Sequence, residues 1–137
     1  MNVDDVLIQG KKKLLTSKVE DIKVAYINNL PVKDSNNNEY ILDNYARGYI
    51  FDTITLANYK NTKEVSISLY DKNNILQVLK DTEVISLAET ITKRLESAVR
   101  WGRIVKDDIK ASNTIIELDK IELNINKFVD NMDIPLL

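Results

Sequence analysis

Neither cysteine nor histidine occurs anywhere in the 137 residues. The first absence removes disulfides, thiolate nucleophiles, iron–sulfur clusters and cysteine-built zinc sites. The second removes the imidazole ligand and the side chain that titrates nearest neutrality. Glycine is nearly absent too: Gly10, Gly48 and Gly102 stand far apart. No glycine-rich loop is therefore available to cradle a phosphate or a dinucleotide. No run of 18 apolar residues exists, so no segment is expected to cross a bilayer. The first apolar stretch breaks at Gly10 and then at Lys11, Lys12 and Lys13, which does not read as a secretory core. The default expectation is a soluble chain made in the cytoplasm.

What is present is enough apolar residue for one core. The chain is 44% hydrophobic and 29% charged with a formal net charge of −2, a balance unlike that of disordered sequences. Asn, Ile and Lys are abundant and Arg occurs only four times. The favoured residues use AT-rich codons, which points to a low-GC bacterium, or to a virus or mobile element of one.

Residues 3 to about 28 read as a helix that Asp4 or Asp5 could cap. Leu7, Leu15, Val19, Ile22 and Tyr26 recur on it in mostly three-, four- and seven-residue steps, giving an apolar stripe with the lysines mostly outside it. Leu30-Pro31 ends it, because proline disfavours α geometry in the residue before. KDSNNNE, residues 33–39, reads as a polar loop separating that helix from the rest. Short strands are expected at 40–42 and 49–52, with a brief helical turn at 52–58. In the run from Glu64 to Leu79, Val65, Ile67 and Leu69 alternate with Ser66, Ser68 and Tyr70. That pattern, with a turn at Asp71 to Asn74, reads as a β-hairpin. A long helix is expected over about 81–110, capped by Asp81 or Thr82, with Gly102 admitting a close neighbour. Thr114 and Glu117 match the capping-box pattern for a last helix over about 115–131. Its stripe is Leu118, Ile121, Ile125, Phe128 or Val129, and Met132, and Ile134-Pro135 should end it. The expected fold is α+β: an N-terminal helix over 1–32, the loop 33–39, and a small α+β domain over 40–137.

The search for chemistry yields little. Asp107 and Asp108 are neighbours on a helix and point about 100° apart. Asp43 and Asp52 could converge only if a sheet brought them together. The acidic loop from Asp34 to Glu39 lacks the spacing and mid-loop glycine of a calcium loop. Lys93 to Arg103 gathers three arginines around Trp101, the only tryptophan. Glu89, Glu96, Asp107 and Asp108 interleave on the same helix, so Trp101 reads as a core edge or an anchor for a protein partner, not as a nucleic-acid platform. No catalytic residue, metal ligand or cofactor site is assigned.

Three segments taken together resemble a domain family of unknown function found mainly in bacteriophage tail-fibre and tail-fibre-assembly proteins. RGYIFDT, Arg47 to Thr53, resembles the family's turn and strand. SLYDKNNILQVLKDTEV, Ser68 to Val84, resembles its strand–turn–strand running into a capped helix. KDDIKASNTIIELDKI, Lys106 to Ile121, resembles its closing helical pattern. The likeness covers about residues 44–121. It implies a structural or adaptor protein of a phage tail, made in the host cytoplasm and carried in the virion. Such a protein would bind other tail proteins or the tail fibre as a homo- or hetero-oligomer, without cofactor, nucleic acid or membrane. A tail-fibre assembly chaperone outside the virion is the alternative within the family. A host-directed inhibitor and a small carboxylate-dependent enzyme are the alternatives outside it. The expected partner-binding residues are Leu7, Leu15, Val19, Ile22, Tyr26 and Trp101.

Overall fold

A computed structural model describes residues 2–132. The chain is mixed helix and strand: α1 (Val3–Asn28), β1 (Leu30–Lys33), β2 (Glu39–Leu42), α2 (Asn44–Tyr59), β3 (Ser66–Tyr70), β4 (Leu76–Lys80), α3 (Thr82–Ala111), α4 (Ile115–Asp119) and α5 (Ile125–Met132). Two antiparallel hairpins, β1–β2 and β3–β4, supply its strands among the described residues. The α+β class expected from the sequence is the class observed. The compact units divide the chain elsewhere than at the polar loop: residues 1–26 with 96–137 form one, and 27–95 the other.

The second unit holds both hairpins. Its core is Leu30, Val32, Tyr40, Leu42, Ile50, Ile67, Leu69 and Leu79 with Val84, Leu87 and Ile91 of α3. Residues 34–38 are not a linker but the turn of the β1–β2 hairpin, where Asn37 takes φ 64°. Asn tolerates that left-handed conformation better than most residues. Asn74, at φ 64°, does the same in the second hairpin. The expected strand at 49–52 is absent, because that segment lies inside α2. Asp43 caps α2 by accepting from the Ala46 N–H at 2.8 Å. Arg47, almost wholly buried, then donates to the carbonyls of Ile27 (2.7 Å) and Leu42 (2.8 Å), fastening the first turn of α2 to the chain on either side of the hairpin.

The first unit is helical. α1 runs antiparallel to the second half of α3. Lys12 donates to the Lys110 carbonyl at 3.0 Å, Glu20 pairs with Lys106, and the Lys23 side chain lies over Gly102. A Cβ on Gly102 would meet Lys23 Cδ at 3.0 Å, so the glycine does admit a close neighbour. Val19, Tyr26, Ala98, Trp101, Val105, Ile109, Leu118, Ile125 and Val129 form the core. Asn2, not Asp4 or Asp5, caps α1, accepting from the Asp5 N–H at 2.8 Å. The single last helix expected over 115–131 is two helices. α4 ends at Asp119, and Asn124 restarts the chain by accepting from the Lys127 N–H at 3.2 Å. Thr114 caps α4 by accepting from Glu117 N–H at 3.1 Å, while Glu117 accepts from Asn113 N–H instead of that of Thr114. Ile134-Pro135 and the side chain of Met132 lie outside the described residues.

Candidate protein-binding face

The six expected partner-binding residues do not share one surface. Val19 is 0% exposed, Tyr26 is buried and Trp101 is 2% exposed, so all three are core of the first unit. Leu15 and Ile22 are half-buried. Leu7 alone points outward, 57% exposed. The reason is rotational: a helix turns roughly 100° per residue, so Leu7 stands roughly 100–120° round from Val19 and Tyr26.

Leu7 belongs to a different stripe. Val3, Leu7, Gly10 and Leu14 follow in steps of four, three and four, which places them within roughly 60° of one another on the side away from the core. Val3 and Leu14 are well exposed, as is Val6 at the stripe's edge. A β-carbon at Gly10 would meet nothing within 4 Å. An open hollow of about 590 Å³ lies along this stretch, lined by Leu7, Gly10, Leu14, Leu15 and Ile115 of α4, with Lys11 and Lys18 beside them. Lys11 is held by an ion pair to Asp119, the last residue of α4, which keeps the C-terminal end of α4 beside α1. The first half of α1 thus carries two apolar faces, and only one is covered.

The polar groups singled out from the sequence are engaged in holding backbone. Asp34 is buried at the hairpin turn. Its carboxylate accepts from the N–H groups of Asn36 (2.8 Å) and Asn38 (3.0 Å), the Asn38 side-chain amide (3.1 Å) and the Tyr40 hydroxyl (2.8 Å). Burial pushes the carboxyl up, but the Tyr40 hydroxyl and the three Asn donors outweigh it and hold Asp34 below the usual carboxylate range. Burial and the neighbouring Asp34 carboxylate raise the Tyr40 phenol. Asp71 closes the second turn, accepting from the N–H groups of Asn73 and Ile75 and from Gln77; the Ile75 bond does most to lower its pKa. Asp43 is a helix cap and Asp52 is exposed on α2, so the sheet does not bring them together. A second hollow, of about 600 Å³, is lined by Asp108, Glu117, Lys120 and Glu122 with apolar neighbours. Among the described residues no group of three or more acidic side chains is placed to hold a metal ion, and no helix is long and apolar enough to cross a membrane.

Sequence reasoning missed the Asp34–Tyr40 pair, although Tyr40 lies at the start of the strand that follows the loop. It also missed the outward stripe of α1, whose signal was the second set of three- and four-residue steps. No protein-family model, curated protein or solved structure matches the chain.

Proposed function

We propose that this protein is a structural or adaptor subunit that works by binding another protein through the outward stripe of α1. The resemblance of three segments to a tail-fibre-associated family supports setting that role in a bacteriophage tail. One observation carries the binding reading: Val3, Leu7, Gly10 and Leu14 form an uncovered apolar stripe on a helix whose opposite face is already packed. Isolated exposed apolar residues are ordinary, but a contiguous stripe beside a hollow marks interaction surfaces. Such a groove suits the apolar face of a partner helix.

The test is a photoreactive amino acid at Leu7, activated in producing cells, with mass spectrometry of the adduct and of purified phage particles. The expected result is one dominant adduct to a tail or fibre protein, and the chain in particles at fixed stoichiometry. The same adduct with the chain missing from particles would replace the virion role with an assembly chaperone. No protein adduct at all would overturn the binding reading.

A further inference from the structure

Hydrogen-bond parity leaves one sheet edge without a partner. In the second hairpin Asp71 N–H donates to Ile75 O (2.9 Å) and Asp81 N–H to Val65 O (2.8 Å). Antiparallel pairs alternate between bonded and non-bonded. With the register Ser66↔Lys80, Ser68↔Val78 and Tyr70↔Leu76, those three pairs are the non-bonded ones. The backbone N–H and C=O of Leu76, Val78 and Lys80 therefore point away from β3. On the other strand, Ser68 N–H points outward and meets the Tyr49 hydroxyl at 3.2 Å, as this parity requires.

The other edges are engaged or blocked. By the same counting, Asp34 N–H donates to Asn38 O at 3.0 Å, so Pro31 and Lys33 of β1 and Glu39 and Ile41 of β2 face outward. Pro31 has no N–H to offer, and Lys33 adds a charge; both are recognised protections of an edge. Glu39 O accepts from Lys72 N–H at 2.6 Å, so β2 meets the end of the second hairpin. Among the described residues nothing bonds the outward groups of β4. Leu76 is 50% and Val78 52% exposed beside them. Two strands make a marginal sheet, and three or more are the usual minimum for stability.

We propose that β4 pairs edge to edge with β4 of a second copy, antiparallel about Val78. The strand fits itself. Its outward residues Leu76, Val78 and Lys80 are placed symmetrically about Val78, so a two-fold axis there sets Val78 opposite Val78 and Leu76 opposite Lys80 of the other copy. Every outward N–H and C=O of the three residues then finds a partner. Lys80 is the strand's only charge. It lies against an apolar Leu76 that its stem can cover, and the two lysines stay about four residues, some 13 Å, apart. A parallel in-register pairing would set lysine against lysine. The result is a four-stranded sheet closed by symmetry. This inference uses the second unit alone and does not rest on the α1 reading.

The experiment takes the full chain from micromolar to millimolar concentration, measuring mass by light scattering and amide exchange by NMR. A dimer is expected, with the amides of Leu76, Val78 and Lys80 slowing about tenfold or more as it forms. Val78→Lys and Val78→Glu should each be folded monomers, since each sets like charges face to face on the axis. Mixed, they should pair with one another. Val78→Pro, which removes an N–H the hairpin ladder does not use, should also be monomeric. A wild-type chain that stays monomeric, a dimer whose three amides exchange as fast as in the monomer, or charge variants that fail to pair when mixed would overturn the proposal.

Discussion

Replacing Leu7 and Leu14 together with glutamine tests whether the outward stripe of α1 is surface or core. Each leucine is 57% exposed. Full burial of such a side chain stabilises by about 1.5–3 kcal/mol, so less than half of that, about 1 kcal/mol, depends on either residue. Glutamine keeps part of the apolar stem and has nearly the helix propensity of leucine, so the double variant should lose only about 1 kcal/mol in all. Core residues of the same unit set the contrast. Val19, at 0% exposure, should cost about 2 kcal/mol as alanine, and Trp101, at 2%, about 3–5 kcal/mol. Urea unfolding followed by far-UV circular dichroism measures all three, and a photoreactive residue at Val3 measures partner capture with and without the two glutamines. The expected pattern is near-native stability with capture lost. A loss above about 3 kcal/mol for the double variant would mean that these leucines are packed, and the binding face would have to be abandoned.

Tyr40→Phe removes the hydroxyl that donates to the buried Asp34 carboxylate and should cost about 1.5–3 kcal/mol near neutral pH, read by urea unfolding. Because the folded Asp34 pKa lies below its unfolded value, its contribution is fully present above the ordinary carboxyl pKa of about 4 and disappears as pH falls through the folded value. Unfolding of Asp34→Asn between about pH 5 and about pH 2 should accordingly follow a flatter profile than wild type. Gly10→Ala, with open space around the new β-carbon, should stabilise by about 1 kcal/mol through helix propensity. In thermal melts of the two variants Gly102→Ala should gain less than Gly10→Ala, because its β-carbon would meet Lys23 Cδ at 3.0 Å.

How far the sequence revealed the fold depended on whether one pattern dominated locally. The hairpin at β3–β4 was legible because Val65, Ile67 and Leu69 alternate with exposed residues and Asn74 supplies the left-handed turn residue. The lengths of α1 and α3 were legible for the corresponding reason. α2 was not. Its inward residues Arg47, Ile50, Ile54 and Ala57 do step by three, four and three, but the first is a charge, and Gly48 with the β-branched and aromatic residues around it favours strand. Only the tertiary bonds from Arg47 to two carbonyls reveal why a charge heads the buried side. The last helix misled in the opposite sense. Leu118, Ile121, Ile125 and Phe128 fit one stripe, yet Asn124 starts a new helix in the middle of it. At the candidate site, the core stripe of α1 was found and its outward counterpart overlooked, because a lone step of eight residues from Leu7 to Leu15 joined two faces into one.

The two candidate surfaces differ in kind, and the difference makes them separable. On α1 the groups without partners are side chains, so association there should carry the negative heat-capacity change of apolar burial. On β4 the groups without partners are mainly backbone, so association there depends on register and is sensitive to one residue, Val78, on the symmetry axis. The buried polar side chains reinforce this division of labour. Asp34 binds turn amides, Arg47 binds two carbonyls, and Ser112 donates to the Asp108 carbonyl at 2.8 Å. Each stabilises the chain's own bends. Because Leu7 and Val78 lie in different compact units and share no bonding partner, their substitutions should act independently. Leu7→Gln should abolish partner capture without disturbing the dimer, and Val78→Lys should do the reverse. A variant at either position that abolished both would show that one surface, not two, does the binding.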